Sequence, residues 1–426
     1  MSFGRATLTI PAAKTAIGDR FLIRLLAAGS VALIVATWPL WTPQSLFPQV
    51  PLVSIAGYMP RMAEWGLLVI LLIALIAEFF VDERRICRCA CAVFGLSSLG
   101  LILIDQHRLQ PWAWQFVILS FVFAVADATT AKSCWRWLVI SIYAWSAWSK
   151  MDQGFVIGHG RFLLNGLFQS IGLMKGIETF TGPVRWGMAA SIPIFEMLIA
   201  VGLCWQRTLL IALIGTSCMH VSLLLALGPF GHQHQPGVLI WNLFFLVQNW
   251  MLFRNTHAYS EPQFNSMICS NGIGNCFARL IVIFAILWPS LELFGLCDHW
   301  PAWAVYAAKP ERVTVFVHSD ELSKLPDNLR QYFHAHPIID EWHLLRIDRW
   351  SLNTVYAPIY PQDRFQVGVA LGIARRYDLH QIRVVIEGPA NRWTGTRDVN
   401  QYIGIESVNK LADSYRCGAQ PKIGQF

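Results

Sequence analysis

The chain alternates long apolar runs with short polar breaks. Runs close to the ~20 residues needed to cross a bilayer stand at 21–41, 62–81, 89–104, 112–127, 134–148, 186–204, 208–228, 236–253 and 278–297. They predict a polytopic transmembrane helical bundle of about nine spans over residues 21–297. A short segment, 1–20, precedes it. From residue 298 the pattern changes. Val313–Val317 and Ile382–Ile386 alternate as short strands, and Leu344–Ile347 is a candidate third. Leu325–His334, Phe365–Tyr377 and Val399–Leu411 have the spacing of amphipathic helices, so 298–426 is expected to be a small α+β domain with a loose last dozen residues.

Two connections have features of their own. Residues 42–61 are rich in proline and are expected to dip along the membrane surface. In 149–184, Phe162, Leu163, Leu167, Ile171 and Met174 recur near helical spacing among polar residues, the pattern of an interfacial amphipathic helix. His159 lies between two of that loop's glycines and reads as solvated.

Composition agrees with a membrane protein: 55% of the residues are hydrophobic and 14% charged, against about 25% charged in soluble domains. The net charge of +7 forms no basic stripe, which excludes a nucleic-acid surface. It gathers instead in the breaks. Arg5, Lys14, Arg20, Arg24, Arg84, Arg85, Arg88, Lys132, Arg136, Arg207 and Arg254 fall on one side, and Arg61, Arg108, Lys150, Arg161, Lys175 and Arg185 on the other. The positive-inside rule then places the N-terminus in the cytoplasm and, after nine spans, the C-terminal domain outside. The first run reads as a signal anchor, because Arg24 interrupts it and it ends in Trp-Pro-Leu-Trp without a cleavage site.

Ionisable groups in or beside spans are costly and therefore functional candidates. Lys150 closes the fifth run, Glu196 lies mid-span three residues after Pro193, and His220 lies inside the seventh. These three are the candidate catalytic residues; snorkelling for Lys150 and an interhelical hydrogen bond for Glu196 are the plainer readings. His220 cannot easily join His232 and His234 around a metal, being ~18 Å from them along a helix axis. Asp105 and Arg108 are expected to cap and orient a turn. The ten cysteines show no zinc spacing; Cys87 and Cys91 read as buried thiols, and Cys297 and Cys417 are a possible pair.

Three segments resemble the HTTM family, the membrane domain shared with vitamin K-dependent gamma-carboxylase. Tyr143–Gly154 (Tyr-Ala-Trp-Ser-Ala-Trp-Ser-Lys-Met-Asp-Gln-Gly) is similar to the family's Tyr…Lys-Leu-Asp stretch. Glu196–Arg207 resembles its glutamate-bearing helix, and His220–Phe230 a helix with an early histidine and a Gly-x-Phe end. The resemblance covers about residues 15–297 and implies a fold, a pocket for a quinone or hydroquinone, and Lys150 as the base. Any chemistry it implies is carboxylase-like (lyase) or quinone-linked, and the C-terminal domain is expected to present a protein or peptide substrate. It does not imply glutamate carboxylation, since Leu109–Trp114 lacks the family's histidine and His107 is out of register. Two other readings stand beside it: a membrane anchor whose outer domain binds a partner, and a quinone-linked redox protein of the DoxX/MauE type.

Overall fold

The computed structural model describes residues 12–173, 176–254, 272–334 and 341–422; Arg5, Met174 and Lys175 lie outside this set. Each of the nine apolar runs falls on a helix: α1 (Ala12–Ala36), α2 (Arg61–Phe80), α3 (Arg84–Ile104), α4 (Pro111–Val125), α5 (Ala128–Ser149), α8 (Gly182–Gly202), α9 (Leu209–Leu227), α10 (Pro236–Phe253) and α11 (Ile273–Leu287). Between α5 and α8 lie α6 (Gln153–Ile157) and α7 (His159–Ser170).

Among the described residues six helices are long and apolar enough to cross a membrane: α2, α3, α8, α9, α10 and α11 with its 3-10 extension to Phe294. The protein buries only 28–50% of each of these spans. On α2, Ile70, Ile73, Ile76 and Phe80 are exposed, a face suited to lipid rather than water. The nine expected spans exceed these six. Helix α4 has 15 residues, ~22 Å at 1.5 Å per residue, and α5 carries Lys132, Arg136 and several Ser and Thr residues. Both are central rather than peripheral, with Phe116, Leu119, Trp135 and Leu138 fully buried. Helix α8 runs unbroken through Pro193.

Connections gather at two ends. At one, Arg20 and Arg24 meet Asp82, Arg88 donates to the Ala124 carbonyl at 2.8 Å, Asn275 donates to Asp127, and Arg136 donates to the Leu252 carbonyl. The opposite end is covered by the C-terminal region.

That region is a five-stranded antiparallel sheet, ordered β2-β3-β1-β4-β5, from β1 (Arg312–His318), β2 (Phe333–His334), β3 (Trp342–Leu345), β4 (Ile382–Glu387) and β5 (Val399–Ile403). Val315 pairs with both Leu345 and Val384. The alternation that predicted β1 and β4 buries Val315, Val317, Ile382 and Val384 under α13 (Asp363–Arg376). The remaining helices are α12 (Ile347–Thr354) and α14 (Ile405–Ser414).

Several expectations are corrected. Leu325–His334 is a single helical turn at Asp327–Arg330 followed by β2, and Val399–Leu411 divides into β5 and α14. The break is Gly404, whose φ of +81° suits glycine and strains other residues. Within residues 42–60, Pro48 and Val50 are clamped beneath α13, so tightly that a Cβ at Gly368 would meet Val50 at 2.7 Å, while Ile55 and Tyr58 are exposed. The chain end is not loose up to Lys422. Gly418 N–H donates to Leu52 and Lys422 N–H to Gln49, while the Lys422 amine reaches Glu64 at 2.7 Å. Cys297 and Cys417 are both free thiols.

Candidate functional site

Helix α5 ends at Ser149 with Lys150 as its C-cap, which places the amine one turn beyond Ser146 and two beyond Tyr143. Its Nζ donates to Ser146 Oγ at 2.5 Å and to Glu196 Oε2 of α8 at 2.7 Å. The two side chains of this ion pair are 9% and 7% exposed, so Lys150 does not snorkel to water. Asp152 takes no part. It caps α6 by accepting from Phe155 N–H at 2.6 Å, and its other oxygen is buried without a partner. Burial raises its pKa, against the lowering effect of that bond.

His220 of α9 is held in a second chain of hydrogen bonds. Asn242 Nδ2 donates to the Val238 carbonyl, which leaves Asn242 Oδ1 to accept from His220 Nδ1 at 2.9 Å. His220 Nε2 is therefore the acceptor, and Tyr143 Oη donates to it at 2.7 Å. Asn249 Nδ2 completes the chain by donating to Tyr143 Oη at 2.6 Å. The neutral imidazole stacks on Phe245, with centroids 5.0 Å apart. Sequence reasoning found His220 but not Tyr143, Asn242 or Asn249 as its partners; polar residues inside apolar runs were the available signal.

The two chains meet at one hollow. Lys150, Glu196, His220, Tyr143, Ser146 and Asn242 all line a cavity of about 620 Å³ between the bundle and the C-terminal region, a size that suits a small organic ligand. The three residues singled out from sequence thus converge from three helices. Its walls mix aromatic Trp112, Trp241 and Phe245 with aliphatic Ile142, Leu223 and Val238, and its roof comes from residues 300–312 and 356–361.

Other candidates resolve differently. His159 is not a solvated loop residue: it opens α7 and lines the cavity, with Nδ1 buried and unpartnered. His234 also lines it, whereas His232 stacks on Phe162 at 3.7 Å. No group of three His, Cys, Asp or Glu residues placed to hold a metal occurs among the described residues. Cys87 and Cys91 are buried free thiols of α3. Asp105 caps its turn as expected, accepting from His107 N–H, but Arg108 does more than orient it. Arg108 is fully buried and pairs with Glu64, a residue the sequence did not single out.

The roof is pinned hard. Asp298 accepts from Arg364 and Gln362. His299 bridges Glu292 and Glu311 at 3.2 and 2.9 Å. Burial alone would lower the His299 pKa, but the two carboxylates outweigh it and raise it to about 9. Arg397 donates to the Pro310 carbonyl at 2.9 Å. Below the roof, a Cβ at Gly154 would meet Ala308 at 2.8 Å, so α6 and the roof are in close contact. No protein-family model, no curated protein and no solved structure matches this chain.

Proposed function

We propose that the chain is a multi-pass membrane enzyme of HTTM-like architecture that binds a lipid-soluble, hydroquinone-like acid in this cavity and takes a proton from it through the Lys150–Glu196 pair. The observation that carries the reading is the convergence of Lys150, Glu196 and His220 on one largely apolar cavity. Ionisable groups at membrane depth are retained where they serve a site.

The ion pair constrains the chemistry. A lysine must be neutral to act as a base, and a carboxylate at 2.7 Å favours the ammonium. Transfer of one proton from Lys150 to Glu196 turns the ion pair into a neutral amine and a neutral acid. The amine then accepts the ligand's hydroxyl proton, and the new ammonium stands beside the anion it has created. His220, neutral and locked by Asn242 and Tyr143, shapes and orients. Mass spectrometry of lipids extracted from purified protein tests this. Wild type is expected to carry a quinone that Lys150→Met loses; equal amounts in both, or none in wild type, would overturn the reading.

The proposal includes nine crossings, a cytoplasmic N-terminus and an extracytoplasmic C-terminal region. The basic residues Arg20, Arg24, Arg88 and Arg136 gather at the end opposite the sheet, which supports this orientation through the positive-inside rule. Cys417 is exposed and free, and it offers a probe. A membrane-impermeant maleimide applied to intact cells should label wild type more than Cys417→Ser; equal labelling that becomes unequal only after permeabilisation reverses the orientation.

A further inference from the structure

The loop that joins β4 to β5, residues 388–398, holds Trp393, which at 79% is more exposed than any other described tryptophan. The exposure does not come from slack chain. Asn391 Oδ1 accepts from Trp393 N–H at 3.0 Å and from Thr394 N–H at 3.1 Å. Gly395 N–H donates back to the Asn391 carbonyl at 2.9 Å, with a φ of +68° that suits glycine. Arg397 ties the base of the loop by donating to the Gly388 and Pro310 carbonyls. A fixed turn therefore holds a large apolar ring outward, where water would make it unfavourable.

The seat of the loop says what covers the ring. Arg392 lies 4.5 Å over the ring of Trp148, in the last turn of α5, and its carbonyl accepts from Gln153 N–H of α6 at 3.0 Å. Ala390 N–H donates to the Lys309 carbonyl at 3.0 Å, and the Lys309 amine reaches Glu292, in the 3-10 extension of α11, at 3.0 Å. The loop is thus fastened to the ends of two helices of the bundle. Trp148 is itself 40% exposed. On α11 the residues Phe277, Leu280, Phe284 and Leu287 are exposed at helical spacing, and Phe294 carries the apolar surface on past the helix. A surface suited to lipid therefore runs up to the level at which the loop begins. Tryptophan, with an apolar body and one polar N–H, gathers at the edge of a bilayer, and an arginine beside it suits lipid phosphates.

The geometry points to the β4–β5 loop as a membrane-docking element. Trp393 rests in the interfacial zone of the leaflet at the sheet end of the bundle, with Trp148 and Arg392 beside it at headgroup depth. The C-terminal region then holds the bilayer by its own loop as well as through the bundle. This needs the chain to lie in a membrane, and it is independent of the chemistry proposed for Lys150.

The test is hydroxyl-radical footprinting of the full-length protein, read by mass spectrometry. The protein sits one copy to a nanodisc of equal phosphatidylcholine and phosphatidylglycerol, with N-acetyltryptophanamide in solution as the reference. Trp393 is expected to oxidise about tenfold more slowly than the reference, as an indole resting in the interface would. A phosphatidylcholine with a diazirine near the glycerol end of one chain should crosslink to residues 388–398 on illumination. Oxidation near the reference rate would show a ring left in water, as a docking site for another protein would be, and would overturn the inference. Protection without any lipid crosslink would overturn it too. Neither measurement depends on a variant that folds.

Discussion

Glu64→Ala lowers the unfolding free energy by roughly 3–5 kcal/mol, the cost of removing one partner from a buried ion pair. Glu64 and Arg108 are both 0% exposed, and Lys422, 358 residues along the chain, reaches the second oxygen of Glu64 at 2.7 Å. Gln49 also donates to Glu64, at 2.6 Å. Without the carboxylate, Arg108 still donates to the Leu40, Leu101 and Thr42 carbonyls, so the loss falls on Lys422. Lys422→Met leaves Glu64 bound by Arg108 and Gln49 and is expected to cost less, about 1–2 kcal/mol. Thermal unfolding in detergent ranks the variants, and limited proteolysis reports the release of the chain end. Comparable Tm values for the two variants would show that Glu64 is not the centre of the clasp.

Glu64 shows where sequence reasoning ran out. It stands in the first turn of α2, where an acid is stabilised by the helix dipole and draws no notice. Its partners lie 44 and 358 residues away, and no local pattern links them. Lys150, Glu196 and His220 were legible because each breaks an apolar run. Asn242 reads as an ordinary span residue, and Tyr143 only as the start of a motif, until the fold brings both to His220. The runs themselves are helices, but an apolar run does not say what it faces: α4 is short and buried among its neighbours, so its apolarity marks a core and not a lipid face. The roof was invisible, since Trp300–Pro310 has no period; its shape is set by Asp298, His299 and Arg397 from outside the segment. Val399–Leu411 misled because hydrophobic spacing continues across Gly404, where only backbone conformation marks the end of the strand.

Stability and function should separate at Lys150 and Glu196. Lys150→Met leaves a buried carboxylate without its cation, and Glu196→Leu leaves a buried ammonium with only Ser146 beside it. Each alone is expected to cost roughly 3–5 kcal/mol. The double variant removes both charges and fills the space with apolar atoms, which is often neutral, so its Tm should return to within a few degrees of wild type. A coupling energy of about 3 kcal/mol or more from the double-mutant cycle would follow. Ligand retention should behave otherwise: a proton-accepting pair loses its function when either member goes, and apolar replacement restores none of it. A double variant that folds like wild type and still retains the proposed ligand would make the pair a structural element alone. Recovered stability with an empty cavity would tie the two buried charges to ligand binding, as the proposed function requires.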